Sequence, residues 1–285
     1  MRMDVNGIQY HLAVKGEGPP LLLLHGFTGS LNTFAPFVPS WSRSHRVIRL
    51  DLIGHGQTDA PQIPDRYTME EVGKDLRVIL DQLEIKRTHI LGYSMGGRLA
   101  LSFALMYPER VESLLLESSS PGLRTEAERR ARRKQDASLA DWIEREGMEA
   151  FVRYWEGIPL FSTQKRLSER VRRHIREERL ANRAEGLAGS LRGMGTGRQP
   201  SWWDHLQCVK QPVALITGEE DQKFCRIADA MEQGFPFARQ WRVSRAGHAV
   251  HVEQPHIFDK IVKGFLLAPN EIFFSSSKED ESVEY

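Results

Sequence analysis

Short apolar runs alternate with amphipathic segments along the first half of the chain. Four of these runs, in PPLLLLHGF, HRVIRLDLIGHG, THILGYS and RVESLLLESS, predict buried strands. Behind the second run, the capping-box sequence Thr68-x-x-Glu71 precedes apolar residues at helical spacing from Val72 to Leu83. Strands that alternate with helices predict an α/β fold in which helices flank a mostly parallel central sheet.

The two ends of the chain have different patterns. Asn6-Gly7, between Arg2–Val5 and Ile8–Val14, predicts a hairpin of two antiparallel strands. Near the other end, PVALITG and RQWRV predict two further strands, and a helix is predicted over Pro255–Leu267. Residues 268–285 are acidic and polar, so we predict a disordered tail there.

The middle of the chain lacks strand patterns and is rich in arginine. Residues 121–200 contain 18 Lys and Arg against 12 Asp and Glu. We therefore predict a helical lid over residues 121–205, inserted between core segments 1–120 and 206–267. A merely solvated helical surface is the alternative interpretation of the charge.

Composition limits the class of protein. The 285 residues carry a net charge of +1, so no overall field favours nucleic acid or membrane as a partner. The two cysteines form no CxxC or Cys/His motif, so neither a zinc site nor a disulfide framework is expected. The start of the chain lacks an apolar leader segment, and no apolar run is long enough to span a bilayer. These features predict a cytoplasmic globular protein, monomeric or a small homo-oligomer.

One glycine-rich stretch predicts nucleophilic chemistry. Gly92-Tyr93-Ser94-Met95-Gly96 follows a predicted strand and precedes a predicted helix, as in a nucleophile elbow. An ordinary glycine-rich turn is the alternative. Such a serine needs a base and an orienting carboxylate on later loops, and Asp221 and His248 each follow a strand in the required order. The remaining candidates are Glu219 or Glu220 for the acid and His251 for the base.

An oxyanion hole requires two backbone N–H groups. Met95, which follows the serine, is predicted to supply one, and Phe27 in HGFTG the other. His25, Asp51 and His55 are interpreted as structural.

Arg98 stands one helical turn after Ser94, where the positive end of the helix dipole disfavours a cation. Either a protein carboxylate or an anionic substrate must compensate its charge. The arginines of the lid and Lys223, beside Asp221, add further cations near the serine. Several cations around one nucleophile indicate a small di- or tricarboxylate substrate.

From about Met1 to Leu267 the chain resembles the α/β-hydrolase superfamily, through HGF, DLIGHG, GYSMGG, GEED and AGH in order. It also resembles a narrower family, the 2-succinyl-6-hydroxy-2,4-cyclohexadiene-1-carboxylate synthases of menaquinone biosynthesis. That resemblance rests on GYSMGGRLA, SSPGLRTEAERRARRKQD, FVRYWEGIPLF, SLRGMGTGRQPS, GEEDQKF and AGHAVHVE. It implies elimination of pyruvate from a tricarboxylate, with Ser94 as the base and without a cofactor or metal.

The resemblance also implies which residues bind the substrate. It assigns carboxylates to Arg98, Arg132, Arg179 and Lys223, and an apolar lining to Tyr93, Trp155 and Phe161. Packing within the lid is the alternative for Trp155 and Phe161. The alternative functions are a hydrolase of carbon–carbon bonds in dienoic keto acids, a carboxylesterase, and a small-molecule receptor on the same scaffold.

Overall fold

The computed structural model describes residues 1–269, and a central eight-stranded sheet organises them. Its strand order is β1-β2-β4-β3-β5-β6-β7-β8. The strands are β1 (Arg2–Val5), β2 (Ile8–Lys15), β3 (Pro20–Leu24), β4 (Arg46–Leu50), β5 (Thr88–Tyr93), β6 (Val111–Glu117), β7 (Val213–Gly218) and β8 (Ala238–Val243). β2 pairs antiparallel with both β1 and β4. The six strands from β3 to β8 are parallel to each other. The predicted fold class is confirmed.

Helices cover both faces of the sheet. They are α1 (Val38–Trp41), α2 (Met69–Gln82), α3 (Met95–Met106), α4 (Glu126–Gly157), α5 (Glu169–Leu180), α6 (Ala184–Met194), α7 (Gln222–Gly234), α8 (Val250–Glu253) and α9 (Pro255–Leu267). In β3, Leu22 and Leu24 pack in the core shared with α2, α3 and α7, whereas Leu21 and Leu23 pack in the core shared with α1 and α9. A strand buried on both faces has no polar positions to alternate with apolar ones, which explains its unbroken apolar run.

The predicted hairpin is confirmed. Asn6 and Gly7 both have left-handed φ angles, 51° and 78°, as a two-residue type I′ turn requires. The predicted capping box on α2 forms only in part. Thr68 accepts a hydrogen bond from the Glu71 backbone, but the Thr68 N–H donates to the carbonyl of Asp65 instead of to the Glu71 side chain.

Between β6 and β7 the chain forms α4, α5 and α6, with the short 3-10 helix Pro159–Arg166 between α4 and α5. A complete capping box of Thr125 and Glu128 begins α4, and Gly147, with φ 79°, kinks it. Apolar residues of α4 and α6 form a separate small core, against which Phe27 and Trp155 pack. These helices therefore lie over the loop that contains Phe27.

In residues 1–269, no helix is long and apolar enough to cross a membrane. Residues 270–285 of the predicted tail lie outside the described residues.

Candidate active site

Ser94 occupies a sharp turn between β5 and α3. Its backbone has φ 49° and ψ −105°, a conformation that non-glycine residues rarely adopt. The Ser94 N–H donates to the carbonyl of Glu117 at 2.8 Å. A Cβ on Gly96 would lie 2.1 Å from the carbonyl oxygen of Leu24, and one on Gly92 would lie 2.4 Å from that of Gly96. The glycines are therefore required for the close approach of α3 to the sheet.

His248 and Asp221 complete a hydrogen-bonded triad with Ser94. The His248 Nε2 lies 3.0 Å from the Ser94 Oγ, and its Nδ1 lies 2.7 Å from the Asp221 Oδ2. This pattern assigns the proton to Nδ1 and leaves Nε2 free to accept the serine proton. The alternative residues lie elsewhere: Glu220 pairs with Arg166, Glu219 is exposed, and His251 bonds to Glu117.

The two candidate oxyanion donors, Phe27 and Met95, line the same cavity as Ser94 and His248. Within residues 1–269, neither of their backbone N–H groups has a protein acceptor. His25 shapes the first of these loops, because its Nε2 accepts from the Leu52 N–H and its Nδ1 donates to the carbonyl of Gly26. Burial lowers the pKa of His25, so the ring stays neutral in this structural role.

The cavity above Ser94 has a volume of about 200 Å³. Three of the predicted carboxylate ligands, Arg98, Arg132 and Lys223, contribute to its lining, as does Trp155. The Trp155 indole N–H is buried and has no hydrogen-bond partner in the described part of the chain. The cavity thus combines an assembled triad with three cationic side chains and an unused donor.

Arg98 is held by neutral groups. Its Nη1 donates to the carbonyl of Met194 at 2.9 Å and to the Gln199 Oε1 at 2.8 Å. Burial and the nearby Arg132 lower its pKa to about 10, so the guanidinium remains charged at neutral pH. In residues 1–269 it forms no ion pair with a carboxylate, and its Nε and Nη2 make no hydrogen bond there. Its charge is therefore directed at the cavity without a direct counter-ion.

The other two cations differ in their pairing. The Arg132 Nε donates to the Asp136 Oδ1 at 2.7 Å, so its charge is partly neutralised. Burial raises the pKa of Asp136, an effect that Arg132 opposes. Lys223 is exposed and, among the described residues, has no carboxylate partner. Its ammonium lies 5.5 Å from the centre of the Phe224 ring.

Arg179, Tyr93 and Phe161 do not line the cavity above Ser94, and their binding of substrate stays a prediction. All three line neighbouring cavities. The Phe161 ring centre lies 6.1 Å from that of His248, and the Arg179 guanidinium lies 4.7 Å from the Phe161 centre. The Tyr93 ring packs on His251 at 4.7 Å. The packing of the lid against the sheet determines these positions, and the sequence pattern does not predict that packing.

A buried carboxylate–histidine pair lies behind the triad, and the sequence interpretation did not include it. The Glu117 Oε1 accepts from both the backbone N–H and the Nδ1 of His251, at 3.0 and 2.9 Å. Because the Glu117 carbonyl also holds the Ser94 N–H, this one residue links the nucleophile turn to the segment that carries His248. The available signal was a glutamate that directly follows the three leucines 114–116 of β6.

We expect Glu117→Ala to lower the free energy of unfolding by about 3 kcal/mol, because it leaves the buried His251 groups without an acceptor. Urea denaturation measures this loss. Glu117→Gln is the matched control, since it retains an oxygen acceptor, and we expect it to be less destabilising. A loss below about 1 kcal/mol in the alanine variant contradicts the linking role.

The sheet order, the serine turn and the triad are those of an α/β hydrolase, and a family model described as the alpha/beta hydrolase fold matches residues 19–255. A protein of Bacillus subtilis (strain 168) named as a 2-succinyl-6-hydroxy-2,4-cyclohexadiene-1-carboxylate synthase is 51% identical over 92% of this chain and 96% of its own length. The synthase of Pectobacterium atrosepticum is 30% identical over 91% of this chain and 98% of its own.

Among solved structures, MenH from S. aureus is similar, with a TM-score of 0.87 and 34% identity over 91% of this chain and 98% of that one. The chain belongs to the family of 2-succinyl-6-hydroxy-2,4-cyclohexadiene-1-carboxylate synthases.

In residues 1–269, no group of three or more His, Cys, Asp or Glu side chains is arranged to hold a metal ion.

Proposed function

We propose that this enzyme eliminates pyruvate from 2-succinyl-5-enolpyruvyl-6-hydroxy-3-cyclohexene-1-carboxylate, giving 2-succinyl-6-hydroxy-2,4-cyclohexadiene-1-carboxylate in menaquinone biosynthesis. The observation that carries the proposal is the assembled triad beneath Arg98, Arg132 and Lys223. The substrate has three carboxylates, on its succinyl, ring and enolpyruvyl groups. Guanidinium groups orient carboxylates well because they can form paired hydrogen bonds.

Ser94 is the proposed base. His248 accepts the Ser94 hydroxyl proton, and the serine oxygen removes the ring proton next to the succinyl ketone. Asp221 stabilises the imidazolium that results. The negative charge that develops on the ketone oxygen is placed at the N–H groups of Phe27 and Met95.

The second half of the reaction releases pyruvate. As the ketone re-forms, the electron pair moves through the ring double bond and breaks the bond between the ring and the enolpyruvyl oxygen. The ring starts with one double bond, which shifts as a second one forms, so the product ring has two conjugated double bonds. The departing enolpyruvate takes up a proton, for which protonated His248 is the nearby donor, and becomes pyruvate. The proposed reaction consumes no water and forms no acyl-enzyme.

The alternative functions use parts of the same site. A carboxylesterase or a hydrolase of carbon–carbon bonds uses the same triad, and a receptor uses the cavity alone. A neutral ester gives no reason for a cation such as Arg98, which forms no ion pair with a carboxylate in residues 1–269. The His248 contacts to both Ser94 and Asp221 favour catalysis over binding alone.

The test of the proposed function is the release of pyruvate from the enolpyruvyl substrate by the purified protein, followed with a coupled lactate dehydrogenase assay. We expect release well above the spontaneous rate. Hydrolysis of a neutral p-nitrophenyl ester, measured in parallel, distinguishes an esterase.

A further inference from the structure

A second and larger cavity lies within the lid, between α4, the 3-10 helix Pro159–Arg166 and α5. Its volume is about 640 Å³, and we call it the lid cavity. Six cationic side chains and only two carboxylates, Glu156 and Glu169, contribute to its lining. The cations are Arg153, Lys165, Arg172, Arg173, Arg176 and Arg179. The lining is therefore strongly positive, although the whole chain carries a net charge of only +1.

The two carboxylates are already used. Glu156 accepts from Arg176 at 2.6 Å, and Glu169 accepts from Arg173 at 3.1 Å. Three lining cations, Arg153, Lys165 and Arg172, have no carboxylate partner in residues 1–269. Their charges remain available to a ligand.

Arg179 marks the most buried point of the lid cavity, being only 5% exposed. In residues 1–269, its one ion pair within 4 Å is with Glu156, at 3.9 Å, and Glu178 acts on its charge from farther away. The Gln164 oxygen is 3.3 Å away. A guanidinium so deeply buried is stabilised when an anion meets it. The protein supplies that anion only at long distance.

The lid cavity adjoins the active site. Arg179 and Phe161 line both the lid cavity and a small neighbouring cavity, which Phe27 also lines. Phe27 in turn lines the cavity above Ser94. The Phe161 ring, 6.1 Å from that of His248, therefore lies between the lid cavity and the triad.

We infer that the lid cavity is a docking site at which a polycarboxylate substrate binds before it passes Phe161 to reach Ser94. The inference rests on the proposed function, because it assumes a substrate with several carboxylates. A concentration of like charge around a cleft raises the association rate of an oppositely charged ligand, and salt weakens the effect.

The test is the double variant Arg153→Gln/Arg172→Gln, which removes two unpaired cations of the lid cavity. We expect kcat/KM for pyruvate release at low ionic strength to fall about fivefold to tenfold, with kcat within about twofold of the parent. The dependence of kcat/KM on ionic strength should become shallower.

Arg130→Gln/Arg170→Gln is the matched control. It removes the same charge from the same two helices, at exposed positions that do not line the lid cavity. We expect its kcat/KM to stay within about twofold of the parent. The inference is overturned when both double variants have equal kcat/KM and equal salt dependence, or when kcat falls as much as kcat/KM. The proposed function is tested separately, because it fails only when the parent protein itself releases no pyruvate.

Discussion

Replacing Ser94 with alanine should lower kcat for pyruvate release by roughly 10³-fold or more. The variant removes the Ser94 Oγ, which lies 3.0 Å from the His248 Nε2, from the lining of the cavity. A water molecule in its place lacks the fixed position that the strained turn gives the serine. Steady-state assays with the coupled reaction measure the loss.

Two controls accompany this prediction. Thermal unfolding should show that Ser94→Ala is folded, because alanine preserves the backbone and removes only the hydroxyl. The double variant Ser94→Ala/His248→Ala should be no slower than the worse single variant, since groups that act as one unit are not additive. Near-parental pyruvate release by Ser94→Ala would rule out the serine-base mechanism.

Replacing Arg98 with alanine should lower kcat/KM by roughly 2–4 kcal/mol, which corresponds to about 30- to 1000-fold. The guanidinium lines the cavity and lacks a carboxylate partner in the described part of the chain, so its charge is available to the substrate. The loss is that of a charge-assisted hydrogen bond. Arg98→Lys should recover part of it, since lysine restores the charge without the planar fork.

Gln199→Ala separates substrate binding by Arg98 from a structural role. This variant removes one protein partner of Arg98 and keeps the cation. We expect it to lower kcat/KM far less than Arg98→Ala does. Equal losses in kcat/KM, or a loss of folding stability in Arg98→Ala with unchanged kcat/KM, would assign Arg98 to holding α3 against the residues around Met194.

The nucleophile turn and the triad were predictable because local sequence determines them. Each residue follows a strand of a parallel sheet, and the carboxyl ends of such strands meet along one edge. The chain order of Ser94, Asp221 and His248 then left few alternatives. The same logic placed Phe27 and Met95 beside the cavity.

Residues of the lid were harder to place. Arg132 and Trp155 reach the cavity, but Arg179 and Phe161 face the neighbouring ones. The direction of a lid side chain depends on how α4, α5 and α6 pack against each other and on the kink at Gly147. Helical periodicity predicts which face of a helix is buried, but it does not predict the packing angle between two helices.

The link between Glu117 and His251 was hidden for a different reason. A buried ionisable pair is recognisable only when both partners are known, and 134 positions separate these two along the chain. His251 is the alternative to His248 as the predicted base, yet its Nδ1 is hydrogen-bonded to Glu117. A polar residue beside an apolar run therefore indicates that it has a buried partner, but it does not identify that partner.

The most direct test of the central claim is a time course of the purified parent protein with 2-succinyl-5-enolpyruvyl-6-hydroxy-3-cyclohexene-1-carboxylate, in which pyruvate and the cyclohexadiene product are quantified together. Elimination by the triad predicts that both appear in equal amounts, far above the spontaneous rate. Pyruvate formation at only the spontaneous rate, from a preparation that hydrolyses a neutral ester, would contradict the claim and identify an esterase.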